Sequence, residues 1–370
     1  MIKSNYLLSL LIFLIFFVSC NKSENKHINT YNNYNNININ LIRTADNFGN
    51  LFKLEKQISL TGKLIGSIQK LKYLSSGDIY IIDAATKHLN VFNSSGKFLR
   101  TIGGIGEGPG EYLTANDFVI DDSLNIYILD GRLRRVTVFD ANGNLKRTIK
   151  INDFGEHMII AKDQIYLYSS MNMGGGEAAS CYDLITGHKM FEFAAPTSFI
   201  KMLISNKYVG VVLDCNCLEY FNNKIYVINP LQYAIRIFDL SGKEEKIIYG
   251  KSDNFQPIDA SRKVDRANPL TEYVKSLLNN IRINNSLIII SFISFVGSQK
   301  PSTFLDFYTL EGVRLNSKSI ICPDQFPRIS FFPMDIDKEG YFYGYTQPSP
   351  NNNNLPNPVI LMYKFLAYEK

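Results

Sequence analysis

Polar side chains that follow similar apolar runs are the residues of this sequence best suited to bind a ligand. These candidate rim residues are Asp83, Lys87, His88, Asp130, Arg132, Arg134, Arg135, Asn229 and Tyr233. The oxygens of Asp83, Asp130 and Asn229 are of the kind that coordinates divalent cations. The Lys and Arg side chains favour an anionic or sugar-rich ligand, because charge strengthens their hydrogen bonds to oxyanions. The alternative is that these residues only satisfy the turns in which they lie.

Motifs for hydrolysis or zinc binding do not occur in the sequence. The four histidines, His27, His88, His157 and His188, lie far apart and form neither H-E-x-x-H nor H-x-H. No G-x-S-x-G nucleophile elbow is present. We therefore predict no catalytic residue, no zinc site and no cofactor, with a cation at the candidate rim residues left open as an alternative.

The most distinctive short segment is the Gly-rich loop, Gly103–Tyr112, with the sequence GGIGEGPGEY. A phosphate-binding P-loop needs a Lys-Ser/Thr pair and a helix after its glycines, and neither pattern follows here. We interpret the segment as a connecting loop in which glycines permit tight turns and proline stiffens the path. Its central residues are Gly106, Gly108, Pro109, Gly110 and Glu111.

The N-terminus has the layout of an export signal. In residues 1–19, Lys3 precedes an apolar run that is shorter than the roughly 20 residues needed to span a bilayer. The end of this run, Ser19-Cys20, resembles the bacterial lipobox, which implies that Cys20 becomes the acylated first residue of the mature chain. The alternatives are an ordinary signal peptide and a buried N-terminal helix. Residues 20–50 are rich in Asn, and we expect them to form a flexible tether.

Four cysteines remain after Cys20, and two outcomes are open for them. An exported chain lies in an oxidising compartment, where disulfides are permitted. One possibility is a bridge from Cys215 or Cys217 to Cys181 or Cys322, and the other is that the thiols are buried and free.

Beyond residue 50 the sequence repeats, and the repeats are the elements that must position the candidate rim residues. Six apolar runs begin at residues 79, 126, 165, 225, 287 and 341, and the first two are IYIID and IYILD. Each run follows a polar turn, so each is predicted to be the second strand of a hairpin. Intervals of about 50 residues are typical of propeller blades. Five of the units also contain a glycine where a tight turn would join the third and fourth strands, namely Gly96, Gly143, Gly187, Gly242 and Gly312.

These features predict an all-β fold over residues 51–370, a six-bladed β-propeller of four-stranded antiparallel blades. The last unit is one strand short, while Leu51–Leu60 belongs to no unit. We therefore expect this N-terminal strand to join the last blade and close the ring, which removes two exposed sheet edges.

A family resemblance rests on the same residues. Ile79–Tyr112 and Ile126–Ile149 look like NHL-type propeller repeats, and the Gly-rich loop resembles the GxGxGPGEF/Y motif of six-bladed β-propeller lipoproteins of Bacteroidetes. The resemblance covers residues 51–370. It implies an exported, lipid-anchored propeller of the cell envelope.

The expected function is the binding of a protein or glycan partner through loops at one end of the ring, where propellers gather side chains around a central channel. The alternative is a lactonase-like hydrolase or lyase with a divalent cation in the channel, and a purely structural role is a third. Formal net charge is only +5 and no segment concentrates it, which argues against nucleic acid as a partner. We expect a monomer that touches the membrane only through its lipid, on the periplasmic side rather than the cell surface.

Overall fold

The computed structural model describes residues 37–170, 176–205, 216–259, 274–284, 286–296, 301–324, 332–347 and 357–368. Cys20, Cys215, the expected signal peptide and the tether up to residue 36 lie outside these described residues. The chain divides into a large unit, Ile39–Ala367, and a small unit of Met1–Asn38 with Tyr368–Lys370. In the small unit Ile37 forms an antiparallel bridge with Tyr368. None of the helices in the described ranges is long and apolar enough to cross a membrane.

The large unit is a six-bladed β-propeller of four-stranded antiparallel blades, as the repeats predict. Blades 1 to 3 contain β2 (Ile68–Tyr73), β3 (Ile79–Asp83), β4 (Leu89–Phe92), β5 (Phe98–Ile102); β8 (Asp117–Ile120), β9 (Ile126–Asp130), β10 (Arg135–Phe139), β11 (Leu145–Lys150); and β12 (His157–Ala161), β13 (Gln164–Tyr168), β14 (Ala179–Asp183), β15 (Lys189–Phe193). Blades 4 to 6 contain β16 (Leu218–Phe221), β17 (Lys224–Asn229), β18 (Gln232–Asp239), β19 (Glu244–Tyr249); β20 (Ser276–Ile283), β21 (Leu287–Ser294), β22 (Ser302–Thr309), β23 (Ile320–Ile321); and β24 (Asp335–Ile336), β25 (Tyr341–Thr346), β26 (Val359–Phe365), β1 (Phe52–Ser59).

Three helices and one small sheet complete the described elements. The helices are α1 (Ile39–Thr44), α2 (Phe48–Leu51) and α3 (Ser198–Ser205). The Gly-rich loop forms a two-stranded parallel sheet of β6 (Gly104–Ile105) and β7 (Glu111–Tyr112), between blades 1 and 2.

The apolar runs form the second strand of every blade, and their burial explains their composition. Every residue of β3, β9 and β21 is buried. A strand whose two faces both pack against neighbouring structure has no solvent face, so its sequence does not alternate between apolar and polar residues. The β-branched and aromatic residues of these runs suit such positions.

The ring closes as expected through a strand from the N-terminus. In blade 6, β1 pairs antiparallel with β26, in a register from Phe52 opposite Phe365 to Ser59 opposite Val359. The Phe52 ring packs among other aromatic side chains, with its centroid 5.1 Å from that of Phe342 and 5.2 Å from that of Phe365. Strand pairing and aromatic packing therefore join the two ends of the propeller.

The folded unit begins earlier than the expected boundary at residue 50. Helices α1 and α2 occupy the last part of the segment expected to be a tether, and Ile42, Phe48 and Leu51 are buried. The Asn47 side chain accepts a hydrogen bond from the Asn50 amide at 3.1 Å and caps α2. Asparagine content suggested disorder, but the spaced apolar residues after Asn38 bury enough surface to order this part of the chain.

The five predicted turn glycines all have the left-handed conformation, with φ between 72° and 87°. A Cβ atom at Gly96 would lie 2.2 Å from the Ser59 carbonyl oxygen, in rigid backbone of β1. A Cβ atom at Gly143 would meet only the mobile Cδ1 atom of Ile102, at 3.1 Å. The two positions therefore share a backbone requirement and differ in the space available.

We expect Gly96→Ala to lower the free energy of unfolding by roughly 3 kcal/mol and Gly143→Ala by about 1 kcal/mol. Both variants strain a left-handed backbone, and Gly96→Ala also overpacks its surroundings. Urea unfolding of the two variants beside the parent protein measures the difference. Equal losses at the two positions would contradict the close approach of β1 to the Gly96 turn.

Candidate functional site

A small polar cavity lies at the centre of the ring. It receives at least one residue from each blade, either from the first strand or from the residues just before it. The lining residues are Gln69, Lys70, Asn116, Asp117, His157, Asn216, Arg282 and Met334. We call this space the central cavity. Its position makes it the one candidate site described here to which every blade contributes.

The first strands place three charged or titratable side chains in one layer of the central cavity. Lys70, Asp117 and His157 come from blades 1, 2 and 3. Each lies opposite the fourth residue of the apolar run in its own blade, so they occupy equivalent heights along the channel. The pairs are Lys70 with Ile82, Asp117 with Leu129 and His157 with Tyr168.

Asp117 is the anionic centre of this layer. Its side chain is only 1% exposed, and it forms an ion pair with Lys70. Its Oδ2 accepts a hydrogen bond from the Met158 amide at 2.8 Å and lies 3.8 Å from His157 Nδ1. Burial by itself would raise the pKa of Asp117, but the Lys70 charge and the contact with His157 outweigh it and lower the pKa to about 2. Asp117 is therefore ionised at neutral pH and offsets the charge of Lys70.

A second layer of ion pairs lies next to the first. Arg282 Nη1 is 3.2 Å from Glu219 Oε2, and Lys72 Nζ is 2.8 Å from Asp335 Oδ1. Burial raises the pKa of Glu219, while the charges of Arg282, Lys72 and Lys70 oppose this shift. Because Lys72 and Lys70 belong to blade 1 and Glu219 to blade 4, charges act on each other across the channel.

Two polar atoms of the central cavity have no protein partner. His157 Nε2 and Arg282 Nε are buried and form no hydrogen bond within the part of the chain that the structure describes. His157 as a whole is 8% exposed. Unpaired buried polar atoms are costly, and a bound water, ion or ligand group is the usual way to satisfy them. The cavity is small, with room for one or two water molecules.

A second cavity of similar size lies between blades 3 and 4, beside α3. Most of its lining is apolar, with a few polar side chains. Its lining residues are Tyr168, Ala178, Ala194, Pro196, Thr197, Ile200, Val227, Ile228, Asn229, Gln232, Ala234 and Arg236. Thr197 donates a hydrogen bond to Gln232 Oε1 at 2.8 Å across this cavity and so links the two blades.

The two aspartates among the candidate rim residues hold backbone in place. Asp83 is 1% exposed, and its Oδ1 accepts hydrogen bonds from the Gly66 and Ala85 amides, both at 3.1 Å. Asp130 is fully buried, and its Oδ2 accepts a hydrogen bond from the Leu113 amide at 2.7 Å. Their oxygens thus anchor the preceding connections and are not directed at a cation. In the described ranges no three His, Cys, Asp or Glu side chains are close enough together to hold a metal ion.

The basic rim residues have different surroundings. Lys87 Nζ donates to Gln69 Oε1 at 2.6 Å, at the edge of the central cavity. Burial and the Lys63 charge lower the pKa of the half-buried His88, and Asp83 opposes this. Arg134 Nη1 donates to the Asn152 carbonyl at 3.3 Å. Arg132 is exposed in the turn between β9 and β10.

Arg135 braces the Gly-rich loop instead of lining a rim. Its guanidinium group donates to the carbonyl oxygens of Glu107, Gly108 and Glu111, at 2.9, 3.3 and 2.7 Å. Glu111 Oε2 accepts a hydrogen bond from the Gly108 amide at 2.8 Å. Gly106 and Gly110 have φ of 145° and 76°, as a tight connection requires, and Pro109 is exposed.

Asn229 and Tyr233 also have structural contacts. Asn229 Oδ1 accepts a hydrogen bond from the Leu231 amide at 2.9 Å. Tyr233 is buried, and its hydroxyl donates to Asp306, a fully buried carboxylate that also pairs with Arg314 at 2.7 Å. Burial and the Asp306 charge hold the pKa of Tyr233 well above its usual value. Tyr233 therefore stabilises the contact between blades 4 and 5 and is not accessible at a rim.

The three described cysteines outside the N-terminal region, Cys181, Cys217 and Cys322, are buried. Burial raises the pKa of Cys181 to about 12, which makes its thiol unreactive at neutral pH. No disulfide joins any two of these three cysteines. Cys215 lies outside the residues that the structure describes.

Sequence reasoning missed the residues that line the central cavity. Lys70, Asp117, His157 and Arg282 lie on first strands, whereas the prediction followed the turns after second strands. In each of blades 1 to 3, the residue of the first strand that pairs with the fourth residue of the apolar run lines the cavity. Because the hairpin fixes this pairing, Lys70, Asp117 and His157 could have been identified from the sequence.

Two solved structures from Bacteroides share this fold. A protein from Bacteroides fragilis described as exported is 14% identical, with a TM-score of 0.59 over 87% of this chain and 98% of that one. A member of the duf4221 family from Bacteroides vulgatus is 11% identical, with a TM-score of 0.57 over 85% and 98% of the two chains. Virginiamycin B lyase from Staphylococcus aureus is 10% identical with a TM-score of 0.49, covering 82% and 83%, which is too distant for an argument about activity.

At these identities the likeness shows the fold alone, and no curated protein matches the sequence. The family of the chain is shown by a family model, which matches residues 18–360 and so covers nearly the whole propeller. The chain belongs to the family described as a domain of unknown function, DUF4934.

Proposed function

We propose that this protein is an exported, lipid-anchored propeller of the cell envelope that binds a protein or glycan partner without catalysis. The export-type N-terminus and Cys20 support the anchor, and the description of the Bacteroides fragilis neighbour as exported supports the compartment. The residues between Cys20 and Ile39 would hold the ring away from the membrane, on the periplasmic side.

The observation that supports a binding function best is the central cavity. All six blades contribute to it, and it contains buried polar atoms that have no hydrogen-bond partner among the described residues. A site built from convergent polar groups at the axis of a ring is the usual position of ligand contacts in propellers.

One end of the ring is the better candidate for partner contact. First strands begin at the end where second strands finish, because the strands within each blade are antiparallel. Asp117 and His157, the first residues of their strands, therefore lie towards the turns that contain Lys87 and Arg132. The bond from Lys87 to Gln69 joins one of these turns to the central cavity. We call this end the channel face.

Site-specific photo-cross-linking in cells tests the proposal. A photoreactive amino acid at Arg132 lies on the channel face, and one at Asn142, in the turn between β10 and β11 of the same blade, lies at the opposite end. Both positions are exposed. We expect a dominant cross-linked species from position 132 that is absent from position 142. Equal or stronger cross-linking from position 142 would contradict partner binding at the channel face.

A further inference from the structure

Three nitrogen-bearing side chains of the central cavity come from alternate blades. Lys70 belongs to blade 1, His157 to blade 3 and Arg282 to blade 5. In a ring of six blades, side chains from alternate blades approach the axis from three directions. All three side chains line the same small space.

Each of the three side chains has hydrogen-bonding capacity left over. The Lys70 ammonium group has three protons, and within the described ranges it pairs with one carboxylate, that of Asp117. Arg282 uses its Nη1 and Nη2 atoms on Glu219 and on the Met334 carbonyl, while its buried Nε–H has no partner among the described residues. His157 Nε2 is likewise buried and unpaired there, and it donates in the tautomer that has its hydrogen on Nε2.

The charged lining residues of the cavity are two cations, Lys70 and Arg282, and one anion, Asp117. Asp117 is bound to Lys70, and Glu219 contacts Arg282 from the neighbouring layer. A small anion in the cavity would meet the unpaired donors, and these two carboxylates repel a single negative charge less than a double one.

The cavity has room for one or two waters, which is enough for the two oxygens of a carboxylate. Charge-assisted hydrogen bonds from nitrogen donors to carboxylate oxygens are among the stronger polar contacts in proteins.

We propose that the central cavity binds the carboxylate group of a ligand between Lys70 Nζ, His157 Nε2 and Arg282 Nε. This inference rests on the proposed binding function and adds the chemistry of the recognised group. The carboxylate belongs either to an acidic sugar or to the end of a peptide chain, since both present the same two oxygens.

Titration calorimetry of the whole protein with acetate tests the inference, with acetamide as the neutral control of the same shape, at constant ionic strength. We expect acetate to bind with a dissociation constant in the millimolar range and acetamide to bind at least tenfold more weakly. Equal affinities, or binding of neither compound, would overturn the inference. Glucuronate represents an acidic sugar and N-acetylglycine represents the end of a peptide chain. The compound that represents the true ligand should bind more tightly than acetate.

Two matched variants locate the binding. His157→Leu removes a cavity nitrogen, while His188→Leu makes the same change at an exposed position. We expect at least fivefold weaker acetate binding in the first and no change in the second, with thermal melting confirming that both are folded. Unchanged binding in a folded His157→Leu variant would exclude the site. If acetate does not bind but a cross-linked species still forms from position 132, the carboxylate assignment is wrong and the proposed function stands.

Discussion

Deleting residues 1–60 is expected to abolish the folded monomer, because it removes the fourth strand of blade 6. Strand β26 would lose its partner along the whole register from Phe365 to Val359 and expose a long edge. The deletion also removes Phe48 and Phe52, whose rings stack with centroids 4.5 Å apart. Loss of a single buried Phe side chain costs about 3–5 kcal/mol, so losing both approaches the whole stability of a typical domain, about 5–15 kcal/mol.

Deletion of residues 1–36 is the matched control, since it leaves α1, α2 and β1 in place. Circular dichroism, urea unfolding and size-exclusion chromatography compare the two products. We expect the shorter deletion to unfold at the parent midpoint and the longer one to be aggregated or unfolded. A monomeric 1–60 deletion with the parent midpoint would show that β1 does not close the ring.

Replacing Asp117 with Asn is expected to lower the free energy of unfolding by about 3–5 kcal/mol, the usual result of removing one partner of a buried ion pair. The Lys70 ammonium group would lose its counter-charge, and the Met158 amide its carboxylate acceptor. The exposed pair of Lys338 and Asp122, at 3.6 Å, supplies the control, because Asp122→Asn should leave the unfolding midpoint unchanged. Similar losses in the two variants would contradict the role of Asp117.

The pH dependence of stability provides a second measurement on the same carboxylate. The pKa of Asp117 falls from 3.8 to about 2 on folding, so its ionised form stabilises the folded state. This contribution is complete above about pH 4 and is lost as the pH falls towards 2. Asp117→Asn should therefore lose less stability than the parent protein between pH 4 and pH 2. Parallel curves for the two proteins would show that Asp117 is not the titrating group.

The sequence was sufficient for the fold because its signals are local and repeated. Runs such as Ile79–Asp83 and Ile126–Asp130 mark the second strands, and Gly96 and Gly143 mark the turns. Closure of the ring followed from counting strands. The folded unit begins before residue 50 because the Asn-rich segment also contains the apolar residues of α1 and α2.

The site was harder to predict because its residues do not repeat. Lys70, Asp117 and His157 occupy equivalent positions in their blades but are different residue types, so no repeated residue in the sequence identifies the position. Asp83 and Asp130 do repeat, but they repeat because two connections need the same backbone anchor. In this propeller, recurrence identifies structural residues, and the side chains that differ from blade to blade give the cavity its chemistry.

A crystal structure of the protein with sodium glucuronate tests the central claim most directly, with methyl glucoside as the neutral comparison. We predict density for a carboxylate in the central cavity, within hydrogen-bonding distance of Lys70 Nζ, His157 Nε2 and Arg282 Nε. The rest of the sugar should lie towards the turns with Lys87 and Arg132. Water alone in the cavity at saturating glucuronate, or a ligand bound at the opposite end of the ring, would contradict the account.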